Sequence, residues 1–514
     1  MLRQKSFLFF LSTLLQYFFG FFSAIFVARF MGPTPMGIIA STLAFINIFK
    51  IVGGMGFGNA HIKRVSEGND LGKCIGTFFT IKIFTTLLMV ICILTFFYGG
   101  PILFGRAMLE KKYEAIFYVL LVSGIIGNFT DVPRRTFTAE IKIFSQTAIG
   151  LIQKFTNSIL RIVVAISGLG VIFLAYANLA GVLIAFLIAF ILFKRYPIKR
   201  FDRNLFISYK IFAIPSIFIG LTSLLSQNLD KVFIEFFTDS RNVGFYVAAM
   251  NIAGFLNFFG MSINSILFPK YSSLFSQKQI NKIKQLANKV ERYASVILFP
   301  LIFYIFYYSD YIIHFLFGKN FINSGPILKF LILSNLFYII SRPYGSLIVG
   351  IGQIDTALKG DIMVLIVNIF FNLLLIPKTL FNINVFGLKA LGAAIALFIA
   401  NLFVYLYYRF HVYKILKSRF NYHILITLIN SSLAGGISCL LCGSIDVNDF
   451  LKLTFGFFVT IVLYLLIMIF TKELSKDDIQ YIKNMLNLKL LSSYIGSEMR
   501  EVIQKNDKKE NSLY

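Results

Sequence analysis

SFLFFLSTLLQYFFGFFSAIFVA (Ser6–Ala28), RFMGPTPMG (Arg29–Gly37) and the apolar run that follows decide the fold. The first run is long enough to cross roughly 30 Å of hydrocarbon as a helix. It is longer than a signal-peptide core and is followed by Arg29 rather than a small-residue cleavage site, so it is expected to be a retained first span. The Gly-Pro-Thr-Pro turn reverses the chain, and a second span begins at once. Further runs of this kind fall near 75–98, 115–133, 147–168, 170–193, 210–236, 244–268, 293–313, 326–349, 360–377, 389–409, 423–443 and 451–471. With the runs near 6–28 and 37–59 they make about fourteen spans, an all-α polytopic membrane protein.

Composition agrees. Of 514 residues, 57% are hydrophobic and 14% charged, and mean hydropathy is +0.78, too apolar to cover a water-soluble globule. A net charge of +26 would suggest nucleic acid in a soluble protein, but here Lys and Arg sort by face of the membrane. With the N-terminus inside, cytoplasmic segments outnumber external ones in Lys and Arg by roughly three to one. That bias predicts a multi-pass plasma-membrane protein with both termini in the cytoplasm and no nucleic-acid partner. The basic clusters include 194–203, the Lys270–Arg292 loop, RFHVYKILKSR (Arg409–Arg419) and the C-terminal tail. Pro133 in PRR is expected to mark a turn.

Two segments read as helices lying on the inner surface: 277–293, with Ile280, Ile283, Leu286, Val290 and Tyr293 on one side, and a tail helix opened by Ser475. An internal repeat aligns Phe30–Lys63 with Phe237–Lys270 at constant offset, placing Gly37 on Gly244 and Gly53 on Gly260. The repeat predicts two like-oriented six-helix lobes, 1–193 and 210–409, joined by a linker at 194–209. Two additional helices at 410–471 and a cytoplasmic tail at 472–514 complete the chain.

No catalytic constellation is evident, so no enzyme activity, cofactor or metal is expected. GNDLGKC around Lys73 lacks phosphate-loop spacing, and His61, His314, His411 and His423 are scattered. Cys74, Cys92, Cys439 and Cys442 read as small apolar residues. The functional signal is the set of polar side chains inside spans. A mid-membrane Lys or Arg costs roughly 2.5–3.5 kcal/mol on insertion scales, so several together imply a shared wet cavity. Lys50, Arg161 and Arg342 are candidates for that cavity, whereas Lys154 and Lys231 read as snorkelling or structurally paired. The amides Asn47, Gln227 and Asn228 suit sugar hydroxyls, and Asp230 is the best acidic candidate.

VARFMGPTPMGIIAS, IPSIFIGLTSLLSQNLDKVFIEFF leading into VGFYVAAMNI, and GLKALGAAIALFIA from Gly387 together resemble the polysaccharide and O-antigen flippases of the multidrug/oligosaccharidyl-lipid/polysaccharide exporter superfamily. The resemblance implies two six-helix lobes around a central cavity, alternating access, and polyprenyl-phosphate-linked glycans as substrates. It carries a cavity arginine onto Arg29. The expected partners are the lipid-linked glycan, membrane lipids and the glycosyltransferases or polymerase that make and use it. The competing readings are a multidrug exporter of the same superfamily and, behind it, a membrane glycosyltransferase or polymerase.

Overall fold

The computed structural model describes residues 2–54, 56–104, 110–380, 382–417, 421–443, 445 and 447–473. The expected tail helix at Ser475 and the Arg419 end of the last basic cluster lie outside the described residues. In chain order the helices are α1 (Leu2–Met31), α2 (Pro33–Gly54), α3 (Phe57–Ser66), α4 (Leu71–Phe104), α5 (Glu114–Ala139), α6 (Ile143–Ile166), α7 (Val171–Phe193) and α8 (Arg203–Phe237). They continue as α9 (Ser240–Ser276), α10 (Ile280–Tyr307), α11 (Ser309–Phe317), α12 (Ser324–Gly350), α13 (Ile354–Leu375), α14 (Lys389–Leu416), α15 (His423–Gly443) and α16 (Asp449–Phe470).

Twelve of these helices are long and apolar enough to cross a membrane, and α8 and α9, at 35 and 37 residues, bring the long helices among the described residues to fourteen. The protein is therefore multi-pass and all-α, apart from a two-residue ladder pairing Thr379–Leu380 with Ile383–Asn384. Local chemistry sets the boundaries. Gly32 takes a left-handed φ of 82° between α1 and α2, and Pro33 opens α2 where no N–H is needed. Asp202 and Asp239 cap α8 and α9 by accepting backbone N–H bonds from Asn204, Leu205 and Asn242.

Three local expectations change. Pro133 ends nothing: α5 runs through it to Ala139, as neighbouring helices permit in membranes. The basic amphipathic stretch after Gln279 is no separate surface helix but the first turns of α10, and its Glu291 is fully buried. The run near 293–313 is not one span, since α10 ends at Tyr307 and a separate α11, then a 3₁₀ turn at Lys319–Phe321, follow.

The principal packing within the first half joins α1 to α6, α6 and α5 to α7, and α2 to α4 and α5; in the second half, α12 packs on α9 and α14, and α13 on α14. The pair α15 and α16 docks on α10, where Tyr464 and Tyr304 hydroxyls donate to the Val296 and Leu453 carbonyls at 3.0 and 2.8 Å. The halves meet chiefly where α2 crosses α9. A Cβ on Gly37 would lie 2.7 Å from the Ser240 carbonyl carbon, and one on Gly244 would lie 2.7 Å from that of Pro33. Gly37 and Gly244, like Pro33 and Ser240, are related by the offset of the sequence repeat. The contact is thus self-complementary, glycine against carbonyl in both directions.

Candidate functional site

Two faces organise the bundle: the terminal face, where α1 starts, and the far face, where α1 gives way to α2. The glycine crossing closes the far face. Beside it Arg29 is exposed, its Nε donating to the Leu316 carbonyl at 2.9 Å and its Nη2 to that of Phe315. These are among the last carbonyls of α11, which have no helical acceptor role of their own, and a cation there is favoured. The structure therefore places Arg29 in a clasp between α1 and α11, apart from the other candidates.

Between the crossing and the terminal face, the first half carries a buried polar knot. Lys82 is 1% exposed, and its Nζ donates to Asn128 Oδ1 at 2.7 Å, Asp131 Oδ2 at 3.1 Å and the Gly53 carbonyl at 3.3 Å. Gly53 leaves room for it, because a Cβ there would sit 2.8 Å from Asn128 Nδ2. Asp131 also meets Arg135 Nε at 3.6 Å, one turn along α5. Lys50 lies within electrostatic reach of Asp131, Lys82 and Arg134, so it joins this knot, and Asn47, half-buried, is one turn before it on α2. The sequence alone does not link Lys82 to Asp131, since Asp131 lies on another helix.

Below the knot, in the connector α3, His61 is sealed between Tyr209 Oη at 3.0 Å and Thr136 Oγ1 at 2.8 Å and stacks on Phe78. Burial pushes its imidazole pKa down to about 3, with Arg135 adding to the effect. On the exposed terminal-face loops, Lys199 and the Lys73 backbone N–H hold Asp70 below the usual carboxylate range, and the Leu205 N–H and Lys73 do the same for Asp202. These bonds fasten the 194–202 segment to the start of α4.

In the second half, Asp230 is buried and accepts from Tyr246 Oη at 2.6 Å and Asn372 Nδ2 at 2.8 Å; Asn372 also donates to Asn368. Lys231 is its electrostatic neighbour. Asn228, on the same stretch of α8, spends its amide on the Leu224 carbonyl, and Gln227 is exposed. Arg342 stacks its guanidinium 3.8 Å from the Tyr338 ring and lies in reach of Asp361. A second cluster escaped sequence reading. Glu291 of α10 accepts from Tyr344 and Tyr405 and pairs with Arg409 of α14, which is 8% exposed although its basic segment reads as a surface loop. Its signal was its register: Glu291 sits on the buried stripe of Ile283, Ala287 and Ala294.

The structure therefore brings Lys50 to the first-half knot, with Asn47 one turn away on α2, and places Asp230, Asn228 and Gln227 on one stretch of α8. It sets Arg342 apart on α12. Arg161 lies on α6, beside Lys154. Lys154 is not near a helix end, as a snorkelling residue would be, but at the middle of the 24-residue α6.

Comparison with known proteins gives this architecture a lineage. The chain is 23% identical over 457 residues to Agl15 of Haloferax volcanii, a probable low-salt glycan biosynthesis flippase, covering 86% of this chain and 90% of that one. It is 23% identical over 224 residues to the capsular polysaccharide biosynthesis protein CapF of Staphylococcus aureus, covering 43% and 54%. Among solved structures, the lipid II flippase MurJ in an inward closed conformation superposes with TM-score 0.74 at 17% identity, covering 91% of this chain and 99% of that one. A MATE family transporter of the MOP superfamily, facing inward, gives 0.61 at 15% identity, covering 79% and 96%. The fold is thus that of MurJ and the MATE transporters. The profile of the polysaccharide biosynthesis protein family matches residues 26–326, more than half of the sequence, and the chain belongs to that family.

Proposed function

We propose that this protein is a flippase that moves lipid-linked glycan units across the plasma membrane by alternating access of its two halves, 1–193 and 210–409. The carrying observation is the self-complementary crossing of α2 and α9, which joins the two sides at one face by backbone contact while charged and amide side chains lie buried behind it. The family and the Agl15 likeness supply the cargo class. The Lys- and Arg-rich terminal face is the cytoplasmic one, so both termini are cytoplasmic and the closed far face is external.

The task is physical rather than chemical. A sugar headgroup crossing hydrocarbon loses water's hydrogen bonds at several kcal/mol for each unsatisfied group. A polar chamber replaces those bonds, and the lipid tail remains in the bilayer. No covalent bond changes, so the protein acts as a transporter rather than an enzyme. The glycosyltransferases that build the cargo and the polymerase or transferase that consumes it are its functional partners. A multidrug-exporter role fits less well, since a cationic drug needs an unpaired acid, whereas Asp131, Asp230 and Glu291 already have cation or amide partners.

The test is translocation in proteoliposomes. Fluorescent polyprenyl-diphosphate-linked oligosaccharide in the inner leaflet should become accessible to an impermeant glycosidase only when the protein is present. Accessibility equal to that of protein-free vesicles refutes the flippase reading.

A further inference from the structure

The cations inside the spans differ in one respect. Lys82 and Lys50 have Asp131, Lys231 has Asp230, Arg342 has Asp361 and Arg409 has Glu291. Lys154 and Arg161 have each other, and no carboxylate lies in electrostatic reach of either among the described residues. Like charges held side by side inside a span without a counter-ion repel each other, and an anion between them would relieve that repulsion.

Geometry supports the same conclusion. Lys154, Asn157 and Arg161 follow one another at helical spacing on a single side of α6. Lys154 reaches across α1, where Gly20 makes room: a Cβ there would meet its Cε at 2.7 Å and its Nζ at 2.9 Å. One donor of the set, Arg161 Nε, is buried with no hydrogen-bond partner. Lys154 and Arg161 start about 10 Å apart along the helix, a separation that two long side chains can close around one anion. The set thus offers an ammonium, a guanidinium fork and an amide N–H, the donors that an oxyanion requires. Because Lys154 marks the middle of α6, the seat lies near the bilayer centre, where a site must be if each face is to reach it in turn.

We propose that Lys154, Asn157 and Arg161 of α6 form the seat for the anionic group of the cargo, an oxyanion supplied either by the phosphate linker of the lipid or by acidic sugars of the glycan. This rests on the flippase reading. Arg29, committed to α11, and Lys82, committed to Asp131, do not belong to it.

Purified full-length protein in nanodiscs is titrated calorimetrically with inorganic pyrophosphate and separately with glucuronate. Wild type binds at least one of them. Lys154→Gln and Arg161→Gln each weaken that binding tenfold or more, Arg161→Lys less, and Lys194→Gln, which removes a loop cation, leaves it unchanged. Gly20→Ala keeps every charge yet displaces the Lys154 ammonium, and it weakens binding too. Loss confined to pyrophosphate assigns the phosphate linker, and loss confined to glucuronate assigns acidic sugars. Wild type that binds neither anion, variants within twofold of wild type, or an equal loss in Lys194→Gln would overturn the seat. In proteoliposomes, wild type that translocates while Lys154→Gln and Arg161→Gln match its rate also overturns the seat; wild type that translocates no lipid-linked glycan refutes the flippase reading instead.

Discussion

Gly37→Ala should open the far face. A Cβ on Gly37 would overlap the Ser240 carbonyl, 2.7 Å from its carbon and 2.8 Å from the Gly244 nitrogen. Both neighbours are backbone, so no side chain can swing aside, and α2 and α9 must part by about an ångström. Overpacking of this kind costs about 1–3 kcal/mol. The cost falls only on the conformation in which the helices touch, so the equilibrium moves toward the open far face by about 5- to 150-fold. Spin labels at Lys111→Cys in the first half and Lys319→Cys in the second, both exposed, report the separation by double electron–electron resonance. Cys74, Cys92, Cys439 and Cys442 would first be replaced. Gly244→Ala, the repeat-related position, should shift the distances in the same direction. Gly254→Ala, also on α9 but with nothing within 4 Å of its Cβ, should not. If Gly37→Ala gives the distance distribution of the parent, the crossing is not what holds that face shut.

Asp131→Asn strands the Lys82 ammonium and should cost ~3 kcal/mol, toward the lower end for a broken buried pair because Asp131 is 30% exposed; the unfolding temperature of the Lys82→Met double variant should recover. Glu291→Gln leaves Arg409 uncompensated at a fully buried site and should cost about 3–5 kcal/mol, measured by thermal unfolding in detergent. His61 is buried with its pKa lowered to about 3, so the unfolded chain binds its proton more readily, and the stability it contributes is present above pH 6.5 and falls as the pH drops toward 3. The slope is about 1.4 kcal/mol per pH unit, and His61→Gln should flatten it. Cysteines at Ser240 and Asn320 should react with impermeant reagent from outside intact cells while one at Ser276 does not; the reverse pattern inverts the proposed topology.

The span count was legible because hydrocarbon thickness sets a length that sequence alone can meet. The glycines at the crossing were legible for a related reason. Glycine at 37 and 244 is demanded by backbone-to-backbone approach, a constraint that leaves the same residue in both copies. What stayed hidden depended on partners distant in sequence. A basic amphipathic stretch such as 280–293 has one pattern whether it lies on a lipid surface or begins a buried helix, and only Arg409, on α14, reveals which. Arg29 was placed by motif in the chamber, whereas its acceptors are α11 carbonyls that carry no side-chain signature.

At the crossing α2 and α9 make the same contact in both directions, glycine against carbonyl. Away from it the two sides diverge: among the described residues Lys154 and Arg161 of α6 have no carboxylate beside them, while Asp230 is buried among Tyr246 and Asn372 and Arg409 is balanced by Glu291. This asymmetry has a mechanical consequence. An anion gripped equally by cations of both halves would tie them together, and each opening would have to break one grip in low dielectric, where charge interactions are strongest. An anion seated on α6 alone stays with the first half while the second tilts away. The motion then breaks and remakes the contacts of α2 with α9 without tearing the cargo from its counter-charges.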